Sequence, residues 1–403
     1  MKKVPNMISN TLRIFHLVSF LIIFSLPAQA QMTIPGSSEN KESSNKGKDL
    51  ELNLYAETGI EYIDNVYSLT ESQKTNMETN NQEDIAGGRF KNMDSISDMI
   101  LEPSIGLKFK SRSPFGGKYW LTSWIRYNYY MKNDKCSFPE GKIALKHSLL
   151  EDGELSLEGN FIHGFFKKNY LSGVNDKNGN GNISRDERIY SAAVYDEYEG
   201  IIAYDHRIIK NKDKKISGLN IQPFAGYGYR RYNSTFSNRD QTITLAGLGL
   251  NLEFISRIDL EMIYQYEGVS SPNNKELILF NENDAGLDIN DDAKTKSNTP
   301  LITNIDRSSN RHTIEINPSI KLTKDCLFFA GYKKRDSKYT SDNQLDIEHY
   351  NQSAWRQQIK SGIKYSFSKA WSAEAEYSKT DNDDDEDGEY SQKNFLITIK
   401  NNF

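Results

Sequence analysis

What most limits how this chain can fold is a two-residue alternation, clearest at its end. In Asn394-Phe395-Leu396-Ile397-Thr398-Ile399-Lys400-Asn401-Asn402-Phe403, the residues Phe395, Ile397, Ile399 and Phe403 share one parity. Asn394, Thr398, Lys400 and Asn402 share the other. A strand sends the two sets to opposite faces. The same alternation recurs over roughly 50–63, 98–110, 118–131, 139–150, 153–166, 188–206, 218–232, 240–254, 257–269, 311–323, 326–337, 353–367, 371–380 and 391–403. An even set of strands, each with one apolar face, predicts a single all-β antiparallel transmembrane barrel of about 14 strands over 50–403, lipid outside and a polar lumen within.

The connections sort by length. Ser113-Pro114-Phe115-Gly116-Gly117, Glu151-Asp152, Lys210 to Lys215, Ser256-Arg257, Lys324-Asp325 and Ser368-Lys369-Ala370 are short. Those at 64–97, 167–187, 270–310 and 338–352 are longer and strongly polar. Short periplasmic turns and long extracellular loops are expected of an outer-membrane barrel, with both termini on the short-turn side. Aromatic residues fit that orientation. Tyr127, Tyr129, Tyr227, Tyr229, Tyr264 and Tyr266 fall at outer strand ends, whereas Phe109, Tyr119, Tyr365, Phe367, Trp371 and Phe403 fall at inner ones, as two interfacial girdles require.

Averaged hydropathy is that of a water-soluble chain, and past the first 30 residues no apolar run approaches the roughly 20 residues of a membrane helix. Barrel strands escape that test because only every second residue is apolar. Residues 1–30 read as a secretory signal. Lys2, Lys3 and Arg13 precede the apolar run Phe15 to Leu26, and Ala28-Gln29-Ala30 offers small-residue cleavage near Ala30. A polar periplasmic segment, 31–49, would follow, and the destination expected is the bacterial outer membrane. Basic and acidic residues, 50 and 55, are well mixed, which argues against a nucleic-acid surface.

The step Thr58-Gly59-Ile60-Glu61-Tyr62-Ile63-Asp64-Asn65-Val66-Tyr67, followed by Ser97-Asp98-Met99-Ile100-Leu101-Glu102-Pro103-Ser104-Ile105-Gly106-Leu107, resembles the first hairpin of a family of porin-like outer-membrane β-barrels of largely unassigned function. The last strand, with Phe395, Ile397, Ile399 and a terminal Phe403, resembles the signal read by the barrel-assembly machinery. The resemblance implies that machinery, outer-membrane lipid and lipopolysaccharide as partners. It implies no oligomeric state.

Opposite the apolar parity lie charges that would line the pore. Strands 98–150 contribute Lys108, Lys110, Arg126, Lys142 and Lys146; strand 353–367 contributes Arg356, Lys360 and Lys364. Facing them would be Glu51, Glu57 and Glu61, then Asp259, Glu261 and Glu267, and Glu374 and Glu376. Rows of opposite sign hold a transverse field in a water channel. Alternatively, the charges pair across strands and fill the lumen.

Asp176-Lys177-Asn178-Gly179-Asn180-Gly181-Asn182-Ile183-Ser184-Arg185-Asp186-Glu187 matches a twelve-residue calcium loop. Oxygen ligands would come from Asp176, Asn178, Asn180, the Asn182 carbonyl, Ser184 through water, and bidentate Glu187. Of these ligands only Asp176 and Glu187 are charged, so Ca2+ binding is expected to be weak, roughly 10⁻⁴–10⁻³ M.

Catalytic signals are sparse. His147 and His163 have the lipid-facing parity without a serine two residues on, and neither a GxSxG elbow nor an HExxH motif occurs. His349 near Asp346 imitates a protease pair but reads as solvated loop surface. Cys136 and Cys326 are expected at opposite rims as free thiols, with an impermeant maleimide reaching Cys136 alone. The expectation is a non-enzymatic, porin-like channel for passive diffusion of small polar solutes. The alternative is a non-conducting barrel for surface adhesion or polysaccharide secretion, with calcium-stiffened outer loops.

Overall fold

The computed structural model describes residues 50–402 apart from 79–89, 91–92, 113–116, 151, 176–178, 180–187, 211–215, 255–256, 272–273, 281–298, 344–345, 347–348 and 384–388. The signal, the segment 31–49, all six calcium-loop ligands and Phe403 lie outside the described residues.

The wall comprises β1 (Glu51–Ile63), β2 (Asp98–Arg112), β3 (Lys118–Tyr130), β4 (Phe138–Leu150), β5 (Gly153–Val174), β6 (Arg188–Lys210), β7 (Ile216–Tyr232), β8 (Gln241–Phe254) and β9 (Ile258–Ser270). It continues through β12 (Ser309–Lys321), β13 (Cys326–Tyr339), β14 (Ser353–Ser366), β15 (Trp371–Asp383) and β16 (Tyr390–Asn402). These fourteen antiparallel strands close into one barrel. The seam pairs Tyr55 through Ile63 of β1 with Asn402 through Asn394 of β16, so the C-terminal alternation completes the wall and leaves no free edge. All fourteen alternating segments of the sequence are barrel strands, and turns and loops separate to opposite rims as expected.

Two features inside the long loops were not expected. Within 270–310, β10 (Asn274–Phe280) pairs with β11 (Thr299–Ile305) as a separate hairpin, and α1 (Glu71–Glu78) occupies part of 64–97. In addition, β5 and β6 run beyond their neighbours to form a projecting hairpin. Their ladder shifts register at Ile162/Phe165, Phe166/Lys168 and Leu171/Gly173. Gly164, at φ +69°, supplies the left-handed backbone of the first shift, and its N–H donates to Asp196 Oδ1 at 2.9 Å.

The apolar parity forms the outer face. Ile105, Ile125, Ile143 and Ile359 are more than half exposed, and Phe395, Ile397 and Ile399 are somewhat less so, an arrangement that is stable only against lipid. The tyrosines named above lie toward the long-loop rim, while the Phe109–Tyr119 and Tyr365–Phe367 pairs sit near the short-turn rim with ring centroids 5.8 and 5.1 Å apart.

Inside, rings and glycines alternate. The Phe224 ring of β7 lies over Gly247 of β8, and the Phe329 ring of β13 lies over Gly362 of β14. Each ring therefore rests flat against a neighbouring strand where a side chain is missing.

The long loops pack into a core of their own. Tyr67, Leu69, Phe90, Met93, Cys136 and Phe166 form a buried cluster at the mouth. Asn65 clamps its first turn, accepting from Leu69 N at 2.8 Å and donating to Leu69 O at 2.9 Å. Asn133 and Asp98 tie this loop to the next: Asn133 Oδ1 accepts from Tyr67 Oη at 2.7 Å, and Asp98 Oδ2 accepts from Asn133 N at 2.8 Å. Cys136 thus sits buried rather than offered to solvent, and burial pushes its thiol up to about 12.

Candidate functional site

Cross-strand register decides what each inward charge meets. Toward the short-turn rim the charges pair locally. Lys110 sits 3.1 Å from Glu51, Lys146 2.9 Å from Glu154, Lys321 3.4 Å from Asp259 and Lys364 3.3 Å from Glu374. Lys142 meets Glu158 at 2.5 Å, and Lys108 lies 5.4 Å from the Tyr55 ring centroid. Of the lysines expected to form a basic arc on β2–β4, Lys110, Lys142 and Lys146 are therefore each paired with a carboxylate, and Lys108 lies against an aromatic ring. On that side the geometry follows the second of the two alternatives, charges paired across strands: lysines placed beside carboxylates of like reach form pairs, not a row.

Further toward the long-loop rim, the sign separates. On the arc from β1 to β4, Glu57, Glu102 and Glu140 surround Arg126 at 3.3, 3.3 and 3.7 Å, and Glu57 also holds Lys400 at 2.7 Å. Glu61 takes a hydrogen bond from Asn394 at 2.9 Å in the same arc. Beyond β16 and β15 the ring continues through β14, β13 and β12, which carry Arg356, Arg335 and Arg311, and Arg230 lies on β7, three strands from β4. Glu267 holds Arg335 at 3.3 Å and Arg311 at 3.7 Å, and Glu197 holds Arg230 at 2.6 Å. Among the described residues no ion pair reaches Arg356.

Other expected positions fall in place around these arcs. Glu261 accepts from Asn317 Nδ2 at 2.9 Å, and with Asp259 and Lys360 it borders a recess of about 330 Å³. Glu376 stands opposite Gly362 in the β14–β15 register. Arg230, Arg311, Arg335, Glu102, Glu140 and Glu197 belong to the site and were not singled out from sequence. All lie on alternating segments with the inward parity, so parity was the signal that would have found them.

At the mouth, the arginine arc opens into a cavity of about 320 Å³. Lys167, Lys168, Arg230, Arg311, Arg335 and Arg356 line it, and none of its described lining residues is Asp or Glu. The reading of His349 and Asp346 as solvated surface is overturned. Both are fully buried, His349 Nδ1 lies 2.6 Å from Asp346 Oδ1, and Asp346 Oδ2 accepts from Asp306 N and Ser341 Oγ, each at 2.9 Å. The carboxylate is buried because it knots three loop segments together. His349 Nε2 meets no hydrogen-bond partner among the described residues, so none of these places a nucleophile on the pair.

No family model matches this chain, and no curated protein matches it. Among solved structures it is similar to the outer membrane channel DcaP of Acinetobacter baumannii, at 9% identity and TM-score 0.44, covering 89% of this chain and 99% of that one. It is also similar to an anion-selective porin from Comamonas acidovorans, at 13% identity and TM-score 0.36, covering 88% and 100%. A bacterial polysaccharide outer membrane secretin matches at 8% identity and TM-score 0.41, covering 86% and 98%.

Proposed function

We propose that the protein is a porin-like channel of the bacterial outer membrane for passive diffusion of small polar solutes. One observation carries the reading: a closed wall, apolar outside, encloses charges of opposite sign gathered on opposite arcs. A lumen built only for packing has no need to leave Arg356 without a carboxylate among the described residues, or the Lys146–Glu154 pair partly exposed. The solutes reach the periplasm without energy input, and specificity follows from lumen charge and width. On this reading the chain reaches the outer membrane after cleavage near Ala30 and is inserted by the barrel-assembly machinery. Its outer loops, including a weak Ca2+ site at 176–187, face lipopolysaccharide. Purified protein in planar bilayers should give stepwise conductance. Silence in bilayers together with calcium-dependent surface binding would instead favour the adhesion or secretion reading.

A further inference from the structure

The cavity at the mouth has a composition that general permeation does not require. Its charged lining among the described residues is wholly cationic, drawn from four wall strands and the projecting hairpin. Four arginines there share only two carboxylates, Glu197 and Glu267, among the described residues. Guanidinium groups held this close repel one another unless an anion intervenes, and each presents a planar fork matched to carboxylate or phosphate oxygens. The Tyr67, Tyr195 and Tyr390 rings border the same space, giving flat apolar surface beside the forks. A volume of about 320 Å³ lies at the lower end of small-molecule sites.

We infer that this vestibule is a capture site for small organic anions, with Arg311, Arg335 and Arg356 taking the oxyanion and the tyrosines flanking the carbon frame. The inference deepens the channel reading and rests on it for its role in uptake. Arg335 donates to Glu267 and to Thr313 Oγ1, and Arg311 pairs with Glu267 and donates to Ser309 Oγ, which fixes both side chains without using all five donors of either guanidinium among the described residues. Arg356 meets no carboxylate among the described residues and adds its charge to theirs. Anions would concentrate at the mouth before entering the lumen, and the acidic arc of Glu57, Glu102 and Glu140 would push them along the opposite wall.

The test uses the full-length mature protein, with citrate as the carboxylate probe and inorganic phosphate as the phosphate probe. In bilayers under a KCl gradient the reversal potential should show a preference for chloride. Citrate added on the long-loop side should interrupt the current in a concentration-dependent way. Arg356→Ala should weaken that block about tenfold, the worth of roughly one charged hydrogen bond, while Arg356→Lys should restore part of it. Block by phosphate alone would keep the site and assign it to phosphate-bearing solutes. A conducting, cation-preferring channel indifferent to both probes would overturn the capture site and leave the channel standing. Should no conductance appear, the channel reading fails. Calorimetric titration of citrate and phosphate into detergent-solubilised protein then decides the site: binding weakened in Arg356→Ala supports it, and no heat from either probe sinks it.

Discussion

In the half of the barrel nearer the short turns, Lys110, Lys146, Lys321 and Lys364 each find a carboxylate across the lumen-facing wall, so that charge is cancelled within a few ångströms. In the half beneath the long loops the same residue types sort by sign, with Glu57, Glu102 and Glu140 on one arc and Arg311, Arg335 and Arg356 across from them. Both halves are built from inward-parity charges on alternating strands. The difference is register: whether the neighbouring strand offers an opposite charge at the same height. A charged lumen is therefore not a field until its pairs are subtracted, and what remains here is concentrated at the outer half.

The widest gap between the halves should appear in thiol chemistry. Cys136 is packed into the mouth cluster with its thiol pushed up to about 12 by burial, while Cys326 at the short-turn rim is partly exposed. Maleimide should leave Cys136 unmodified on intact cells and, on purified folded barrel at neutral pH, should label Cys326 alone. Rapid labelling of Cys136 would mean that the outer half is not the packed cap described. Next in size is Arg126→Met, which removes the cation shared by three carboxylates; Glu57 keeps Lys400, while Glu102, which is buried, and Glu140 lose the ion pair they make with it. A loss of about 3 kcal/mol is expected in denaturant unfolding of the micelle-bound barrel, because an uncompensated carboxylate group costs more than its pair contributed. Calcium comes third. We propose that Glu187→Ala abolishes calcium-dependent protection of 167–187 from protease. At roughly 1 mM calcium a site of about 10⁻⁴ M adds no more than about 1.4 kcal/mol, so the effect should be local. Lys146→Met should matter least: its pair with Glu154 is half exposed, and the shift should stay under about 1 kcal/mol. If Lys146→Met proved as damaging as Arg126→Met, the contrast between paired and segregated halves would be lost.

The barrel itself was legible because period-two alternation is local. Phe395, Ile397 and Ile399 announce a face without knowledge of any partner strand, and the sorting of turns from loops follows from length alone. The site was less legible because a charge's meaning lies on the next strand. Nothing near Lys142 in the chain reveals that Glu158 meets it, and nothing near Arg335 reveals Glu267. Register, set by closure of the whole ring, supplied both. The hairpin of β10 and β11 was overlooked for a different reason: its short apolar runs sit inside a long polar stretch, where composition outweighed alternation. For His349 and Asp346, a polar loop was equated with a wet one, although buried loop polar groups are admissible when they bond to each other.

The rings of Phe224 and Phe329, each lying across a glycine on the adjoining strand, bear on calibre. Laid flat, an aromatic side chain takes up its thickness from the bore and not its length. A methyl group at Gly247 or Gly362 would meet the ring and the backbone behind it and tip the ring inward like a throttle plate. The gauge of this tube is thus written partly in missing side chains, and one added carbon at Gly247 or Gly362 would narrow it without altering a single charge.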